Sequence, residues 1–226
     1  MGSSTIRSIR DESRARAREA VVDAAMDLLL QHGQDALSLR KVAAAVGAST
    51  QVIATHFADK QGLLDALFAR GFTALTEQTQ ALPPGAGVAG CMRAYRAFAL
   101  AQPPLYRLMF TRTEREYRPG PEAKAAARSA LEALAEAIPQ PASLASETPE
   151  MEGAAEVSSK ARAHYVWAVA HGHVALELAD FVSVPPDADA LYALAIAHVE
   201  AALALGLTAE PASSAAATKP RMPPSP

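Results

Sequence analysis

The sequence predicts an all-α protein of about nine helices, with a small N-terminal three-helix domain followed by a larger helical bundle. Half of the 226 residues are hydrophobic, and only 5% are aromatic. Much of the hydrophobic half is alanine, which favours helices and is poor in strands. The sequence lacks runs of Val, Ile and Thr between tight turns. A chain of this length accommodates a small domain and a medium one.

The first predicted element is a helix from Arg16 to His32, with apolar residues at helical spacing and Gly33 as its C-cap. The preceding segment, 1–15, is expected to be a flexible basic arm. The segment from Met1 to Arg18 contains five arginines and two acidic residues, so its net charge is about +3. The formal net charge of the whole chain is −3. A basic segment on a mildly acidic protein is typical of a protein that binds phosphate groups at one end.

The next three helices are predicted from turn and capping residues. Ser38 can cap a second helix that Gly47 ends, and Ser49 can cap a third helix that reaches about Phe57. A fourth helix follows Asp59 and carries apolar residues along one side. These short elements define the three-helix domain.

We expect this N-terminal domain at 16–60 and the larger domain at 61–206. The remaining helices are predicted at 87–101, from Pro103 onward, at 119–138, at 158–181 and at 188–205. Residues 139–157 are rich in Pro, Ser, Ala and Glu and are predicted to form a mobile loop. Residues 207–226 contain five prolines and are predicted to be a disordered tail.

The segment Ser38–Lys60 has the pattern of a helix-turn-helix, because two short helices are joined by a glycine-containing turn, Val46–Ser49. The second helix is expected to direct four polar side chains outward, namely Thr50, Gln51, Thr55 and His56. Short polar side chains suit hydrogen bonds with base edges and phosphates in a DNA major groove. The spacing alone is equally compatible with an ordinary helical hairpin whose polar face is solvated.

Three motifs between Arg18 and Phe72 are specific: S-L-R opening the second helix, V-G-A-S at the turn, and T-H-F-A-D-K-Q-G-L-L leading into the fourth helix. Together they resemble the TetR family of bacterial regulators. The resemblance implies that Ser38 and Lys60 bind phosphates at two helix N-termini, where the helix dipole favours an anion. The other residues that it implies to be DNA-binding are Arg40, Ser49, Thr50, Gln51, Thr55 and His56.

Three positions depart from what is frequent in that family. Ala54 stands where a tyrosine is often found, Thr50-Gln51 where a Lys-Gly pair is frequent, and Ala58 where proline is common. The resemblance therefore implies the fold and the DNA-binding activity, and leaves the operator sequence open.

A second resemblance lies in the larger domain. Segments 94–110 and 166–179 are similar to the TetR-type C-terminal domain with a Trp-His-Gly signature, here Trp167 and His171-Gly172. A metal site on these histidines is not predicted, because His171 and His173 lie about 200° apart around a helix and cannot both face one ion. No cofactor is predicted either.

A ligand pocket is expected among the larger side chains of this domain, because aromatic and methionine side chains with a few polar tips are typical of small-molecule sites. The predicted ligand-binding residues are Met92, Tyr95, Phe98, Met109, Phe110, Trp167 and His171. The same side chains are equally typical of a packed core, and that alternative stays open.

The eighth and ninth predicted helices are apolar on more than one face, so each needs two partners. One face can meet the core of its own subunit, and the other is expected to meet the same helices of a second subunit. Such a homodimer would present two recognition helices roughly 34 Å apart to a near-palindromic DNA operator. A helix buried at the centre of a monomer is the alternative.

The motifs and the resemblance predict a ligand-responsive DNA-binding regulator, a repressor released from its operator by a small apolar or aromatic effector. A helical enzyme acting on a small apolar substrate and a DNA-binding regulator without a ligand are the alternatives. Against the enzyme, the sequence offers no nucleophile–base pair, phosphate loop or carboxylate cluster at ligand spacing. One cysteine, Cys91, and the lack of a stretch of roughly 20 apolar residues predict a cytoplasmic protein.

Overall fold

The structure is a computed structural model that describes residues 2–110, 117–139, 149–182 and 187–205. Within these ranges the chain forms nine α-helices, one 3₁₀ helix (Gln34–Ala36) and no strand. The α-helices are α1 (Gly2–His32), α2 (Leu39–Ala45), α3 (Thr50–Phe57), α4 (Lys60–Gln80), α5 (Gly87–Ala101), α6 (Pro103–Phe110), α7 (Pro121–Ala137), α8 (Pro149–Leu178) and α9 (Ala188–Ala204). The predicted all-α class is confirmed.

Helix α1 is longer than predicted, because it begins at Gly2 and not at Arg16. Residues 2–15, which were expected to be part of a flexible basic arm, form the first part of this helix. Alanine and arginine are good helix formers, and Glu12 accepts a hydrogen bond from Ser8 and pairs with Arg16, each four residues away. Contacts at this spacing support an exposed helix.

Helix α8 also begins earlier than predicted. A mobile loop was expected at 139–157, and α8 includes residues 149–157 of that range. Proline is compatible with the first turn of a helix, and the Glu and Ala residues that follow Pro149 favour helical backbone. Residues 140–148 and the predicted tail at 207–226 lie outside the described residues.

The three predicted N-caps of the N-terminal domain are confirmed. The side chains of Ser38, Ser49 and Asp59 accept hydrogen bonds from the backbone N–H three residues further on, at 3.2, 3.3 and 3.0 Å. Gly47 follows α2 in the left-handed region, with φ of +66°. These contacts fix where α2, α3 and α4 start and so fix the angle between the two helices of the helix-turn-helix.

Helix α4 belongs to both domains. It packs against α1 and α3 on one side and against α5, α6 and α7 on the other. Its Leu63, Leu64 and Leu67 are almost fully buried in a core that runs continuously through the molecule. Gly71 permits close approach of α6, because a Cβ atom there would overlap the Met109 side chain.

Arg96 joins three helices of the larger domain. Its Nε and Nη2 atoms donate to the two carboxylate oxygens of Glu177 on α8, at 2.8 and 2.7 Å, and Nη2 also lies 2.6 Å from Asp189 on α9. A bidentate pair of this kind is stronger and better oriented than a single contact. It holds α5, α8 and α9 in register. None of the described helices has the length and apolar character needed to cross a membrane.

Candidate functional site

The predicted DNA-binding residues gather at the helix-turn-helix. Those with exposed side chains are Arg40 on α2, Ser49 at the start of α3, and Thr50, Gln51 and Thr55 on α3. The opposite face of α3 is held by Ile53 and Phe57, which are buried against the rest of the domain. The helix therefore presents a polar face to solvent while its apolar face is fixed.

Val52 is an exposed residue of this face that sequence reasoning did not assign to it. Its side chain is 46% exposed and lies beside those of the polar residues. An exposed aliphatic side chain suits contact with the methyl group of thymine. The sequence holds no clear signal for it, because Val52 and Ile53 are adjacent aliphatic residues and only tertiary packing decides which one is buried.

The predicted phosphate-binding residues lie at helix starts. Ser38 and Ser49 use the hydroxyl oxygen to accept from the backbone, which leaves the hydroxyl proton available to a phosphate oxygen. Lys60 is the first residue of α4 and is half-buried. Helix N-termini favour anions, so all three residues are placed where a phosphate could be bound.

His56 lies differently from the other predicted DNA-binding residues. It is half-buried, and its Nδ1 atom is buried without a hydrogen-bond partner among the described residues. The ring lines an open groove that also includes Arg18 and, from the start of α7, Glu122. His56 is thus less available to a duplex than Gln51 or Thr55.

The larger domain contains a small cavity, partly open to solvent, between α4, α5, α7 and α8. Its described lining consists of Phe72, Leu75, Thr79, Cys91, Met92, Tyr95, Ala127, Ala130, Leu131, Leu134, Val166, Trp167 and Ala170. None of these described residues is charged at neutral pH, since burial raises the pKa of both the Cys91 thiol and the Tyr95 hydroxyl. The cavity suits a neutral and largely apolar molecule.

Only part of the predicted ligand set reaches this cavity. The residues that line it are Met92, Tyr95 and Trp167. The residues that lie outside the described lining are Phe98, Met109, Phe110 and His171. Phe98 and Met109 are buried in the core, and the ring of Phe110 packs behind Trp167 with a centroid distance of 5.7 Å.

Sequence reasoning missed the wall contributed by α7. Ala127 and Ala130 on α7 lie opposite Phe72 and Leu75 on α4. Small side chains on one helix facing large ones on another leave space between them. The alternation of alanine and leucine on one face of α7 is visible in the sequence, but it does not say which helix that face meets.

Two residues of the cavity lining, Tyr95 and Trp167, are hydrogen-bonded to each other and to Tyr106 and His171 behind them. Trp167 Nε1–H donates to the Tyr95 hydroxyl at 3.3 Å, and Tyr95 donates to Tyr106 at 3.4 Å. The hydroxyls of Tyr95 and Tyr106 lie 3.1 and 2.7 Å from His171 Nδ1. Burial lowers the pKa of His171 and raises the pKa of both tyrosines. All four groups are therefore neutral near pH 7.

The other histidines of α8 bond to their own helix. Nδ1 of His164 and Nδ1 of His173 each lie 2.9 Å from the backbone carbonyl oxygen four residues earlier. In the part of the chain that the structure describes, no three His, Cys, Asp or Glu side chains are grouped to hold a metal ion.

Asp65 connects the N-terminal third of α4 to the start of α7. Its carboxylate accepts hydrogen bonds from the Tyr117 hydroxyl at 3.0 Å and from the Gly120 N–H at 3.1 Å. The cavity lies further along the same two helices. Asp65 therefore ties α4, the helix that follows the helix-turn-helix, to the start of α7.

Helices α8 and α9 expose an apolar face. Its large members are Tyr165, Leu176, Leu194 and Leu205, which are 44%, 51%, 52% and 75% exposed. Gly172 lies among the exposed residues of α8, and a Cβ atom at this position would meet nothing within 4 Å. No described residue of the chain covers this face.

Both parts of the chain match models of known families. Residues 21–67 match bacterial regulatory proteins of the tetR family, and residues 88–199 match the tetracyclin repressor-like C-terminal domain. No curated protein sequence matches the chain.

Solved structures share the fold. The regulatory protein SCO4313 is 24% identical, with a TM-score of 0.67 over 84% of this chain and 97% of its own. A protein of unknown function from Rhodococcus sp. RHA1 is 24% identical, with a TM-score of 0.62 over 82% and 94%. A TetR variant from Acinetobacter baumannii AYE, in complex with minocycline, is 22% identical, with a TM-score of 0.51 over 84% and 97%.

Proposed function

Because the chain belongs to the TetR family of DNA-binding transcriptional regulators, we propose that it is a repressor that a small, neutral, apolar effector releases from its operator. The polar face of α3 carries the DNA-binding part of this proposal. It combines three exposed polar side chains with Val52 on a helix whose other face is buried. The polar side chains can form hydrogen bonds with base edges, and Val52 can make an apolar contact with them. Ser38 and Lys60 lie on either side of this face, at helix N-termini that favour phosphate.

Selection of bound fragments from the organism's own genome tests DNA binding and yields the operator. Gln51→Ala should lower operator affinity and relax the base preference at one position, at a cost of about 1–3 kcal/mol. Gln80→Ala is the matched control, because Gln80 is exposed at the far end of α4. A reporter gene placed downstream of the operator should be repressed. Recovery of no specific fragment, or equal affinity of both variants, would contradict the proposal.

A homodimer through α8 and α9 is the second part of the proposal. The exposed apolar face would be covered by the same face of a second subunit, with Gly172 allowing close contact between the helices. Gly172→Leu has room within one subunit, so we expect it to fold and to sediment as a monomer. Ala17→Leu, an exposed change on α1, should stay dimeric. A monomeric wild-type protein, or a dimeric Gly172→Leu variant, would exclude this interface.

The cavity supports the effector part of the proposal. The neutral fluorescent probe N-phenyl-1-naphthylamine should bind the wild-type protein, and Ala130→Phe should abolish binding by filling the space between α7 and α4. Ala125→Phe adds the same ring on the exposed side of α7 and should bind the probe normally. Equal binding by both variants would place the probe elsewhere. Compounds that compete with the probe can then be tested for release of the operator duplex.

A further inference from the structure

In the N-terminal half of α1, four arginines and Asp11 share one side of the helix. At 100° per residue, Arg7, Arg10, Arg14 and Arg18 lie within about 80° of one another around the helix axis. We call these four residues the arginine stripe. Arg16 projects from the opposite side, where it pairs with Glu12 at 3.5 Å.

Two members of the arginine stripe contact α3, the recognition helix of the helix-turn-helix. Arg14 Nη2 donates to the backbone carbonyl oxygen of Thr55 at 3.2 Å, and the guanidinium of Arg18 lies 5.0 Å from the centre of the Phe57 ring. The stripe is therefore on the side of α1 that faces α3. It joins the surface that carries the predicted DNA-binding residues.

Arg7 and Arg10 continue the stripe beyond these contacts. At 1.5 Å per residue they lie about 10 and 6 Å further along the helix axis than Arg14. Both are exposed, and neither forms an ion pair with any described residue. Two cations held on a helix next to the recognition helix thus have no acidic partner within the described chain.

We propose that the arginine stripe is a second DNA-binding surface, which binds the phosphates that flank the groove contacted by α3. This inference rests on the proposed DNA-binding function and adds a contact outside the helix-turn-helix. Arginine binds phosphate oxygens with two parallel N–H donors, and a helix holds the spacing between the guanidinium groups. The stripe from Arg7 to Arg14 is about 10 Å long, equal to about three base-pair steps of 3.4 Å.

The test uses the full-length protein and two versions of the selected operator. One duplex carries about ten extra base pairs at each end, and the other ends where the α3 footprint ends. The variant is Arg7→Ala with Arg10→Ala, and its charge-matched control is Arg16→Ala with Arg128→Ala, two exposed arginines elsewhere. On the long duplex we expect the stripe variant to lose roughly tenfold or more in affinity, and its salt slope to fall by about one for each lost phosphate contact.

The trimmed duplex should bind the wild-type protein, the stripe variant and the control variant alike. Arg7→Lys with Arg10→Lys should recover most of the affinity for the long duplex, since it keeps the charge and the helix. The proposal is overturned if the stripe variant binds the long duplex like the wild type, or if its loss is the same on both duplexes. Failure of the wild-type protein to bind either duplex would instead contradict the DNA-binding function itself.

Discussion

Ala58 adopts a backbone conformation that costs free energy. Its φ of +60° and ψ of −58° lie in a region that L residues rarely occupy, and the Asp59 N–H donates to the Phe57 carbonyl at 2.6 Å to close a γ-turn. Strain of this kind costs of order 1–3 kcal/mol. The turn also explains a departure from the family pattern, because the φ of proline is fixed near −65° and cannot be accommodated at position 58.

Replacing Ala58 by glycine should stabilise the protein by about 1 kcal/mol, since glycine adopts positive φ without a steric penalty. The midpoint of urea unfolding measures the change. Ala54→Gly, the same exchange inside α3, should instead lower the stability by about 1 kcal/mol. A glycine at position 58 that is neutral or destabilising would show that the γ-turn is not strained.

His171 gives the stability of the protein a defined pH dependence. Burial lowers its pKa below the ordinary value of 6.5, so between these two pKa values the unfolded chain binds a proton that the folded chain does not. This contribution to stability is fully present above pH 6.5 and is lost as the pH falls through the window between 6.5 and the lowered pKa. Once protonated, Nδ1 can only donate to the Tyr106 hydroxyl, which lies 2.7 Å away.

His171→Asn should flatten the loss of stability below pH 6.5, because asparagine offers an acceptor to Tyr106 and does not titrate. Urea unfolding at a series of pH values from 5 to 8 tests this. His32→Asn, at the exposed end of α1, serves as the comparison. If the profiles of the wild type and His171→Asn run parallel, His171 does not contribute to acid sensitivity.

Residue-level predictions from sequence succeeded where the cause is local. Ser38, Ser49 and Asp59 were identified as caps because a cap depends on the residue and its next three neighbours. The burial of His56 and the exposure of Val52 depend on which helices pack against α3, and no neighbour in sequence encodes that.

At the scale of elements, the junction of α3 and α4 sets the direction of the recognition helix. A Cβ atom on Gly62 would overlap the backbone carbonyl of Phe57. Backbone atoms cannot move aside as a flexible side chain can. The glycine of the K-Q-G-L-L motif is therefore required by the close approach of the last turn of α3 to the first turn of α4.

Gly62→Ala should destabilise the protein by about 1–3 kcal/mol, as expected when a methyl group is forced into a packed junction. Operator affinity should fall further than stability alone explains, because the end of α3 must shift. Thr73→Ala, at an exposed position further along α4, should change both quantities little. Wild-type stability and affinity for Gly62→Ala would mean that the junction can rearrange freely.

Element lengths were predicted well where apolar periodicity continues to the end of the helix. Helices α1 and α8 extend beyond their apolar stripes, over segments rich in Arg, Glu and Ala. Such segments resemble solvated loops in composition, but helix propensity and pairs four residues apart are enough to keep them helical when a packed helix precedes or follows them. The cavity was predicted only in part for a related reason, since it depends on α7 facing α4.

At the scale of the whole molecule, the two domains share helix α4, which packs against helices of both. Leu67 is fully buried in a core that continues from α1 and α3 to the helices of the larger domain. Asp65 and Phe72, on either side of it along α4, contact the start of α7 and the cavity. A signal from the cavity can reach α3 only if the two domains do not move or unfold independently.

Leu67→Ala should therefore lower the thermal stability of both domains together. Replacing a buried leucine by alanine costs about 2–5 kcal/mol. Trp167 is the only tryptophan, so its fluorescence reports unfolding of the larger domain, whereas circular dichroism at 222 nm reports every helix. The two curves should coincide in the wild type and shift by the same amount in the variant at equal protein concentration. Loss of part of the helical signal while the Trp167 signal is unchanged would show that the N-terminal domain unfolds alone. In that case a shared α4 could not couple effector binding to the recognition helix.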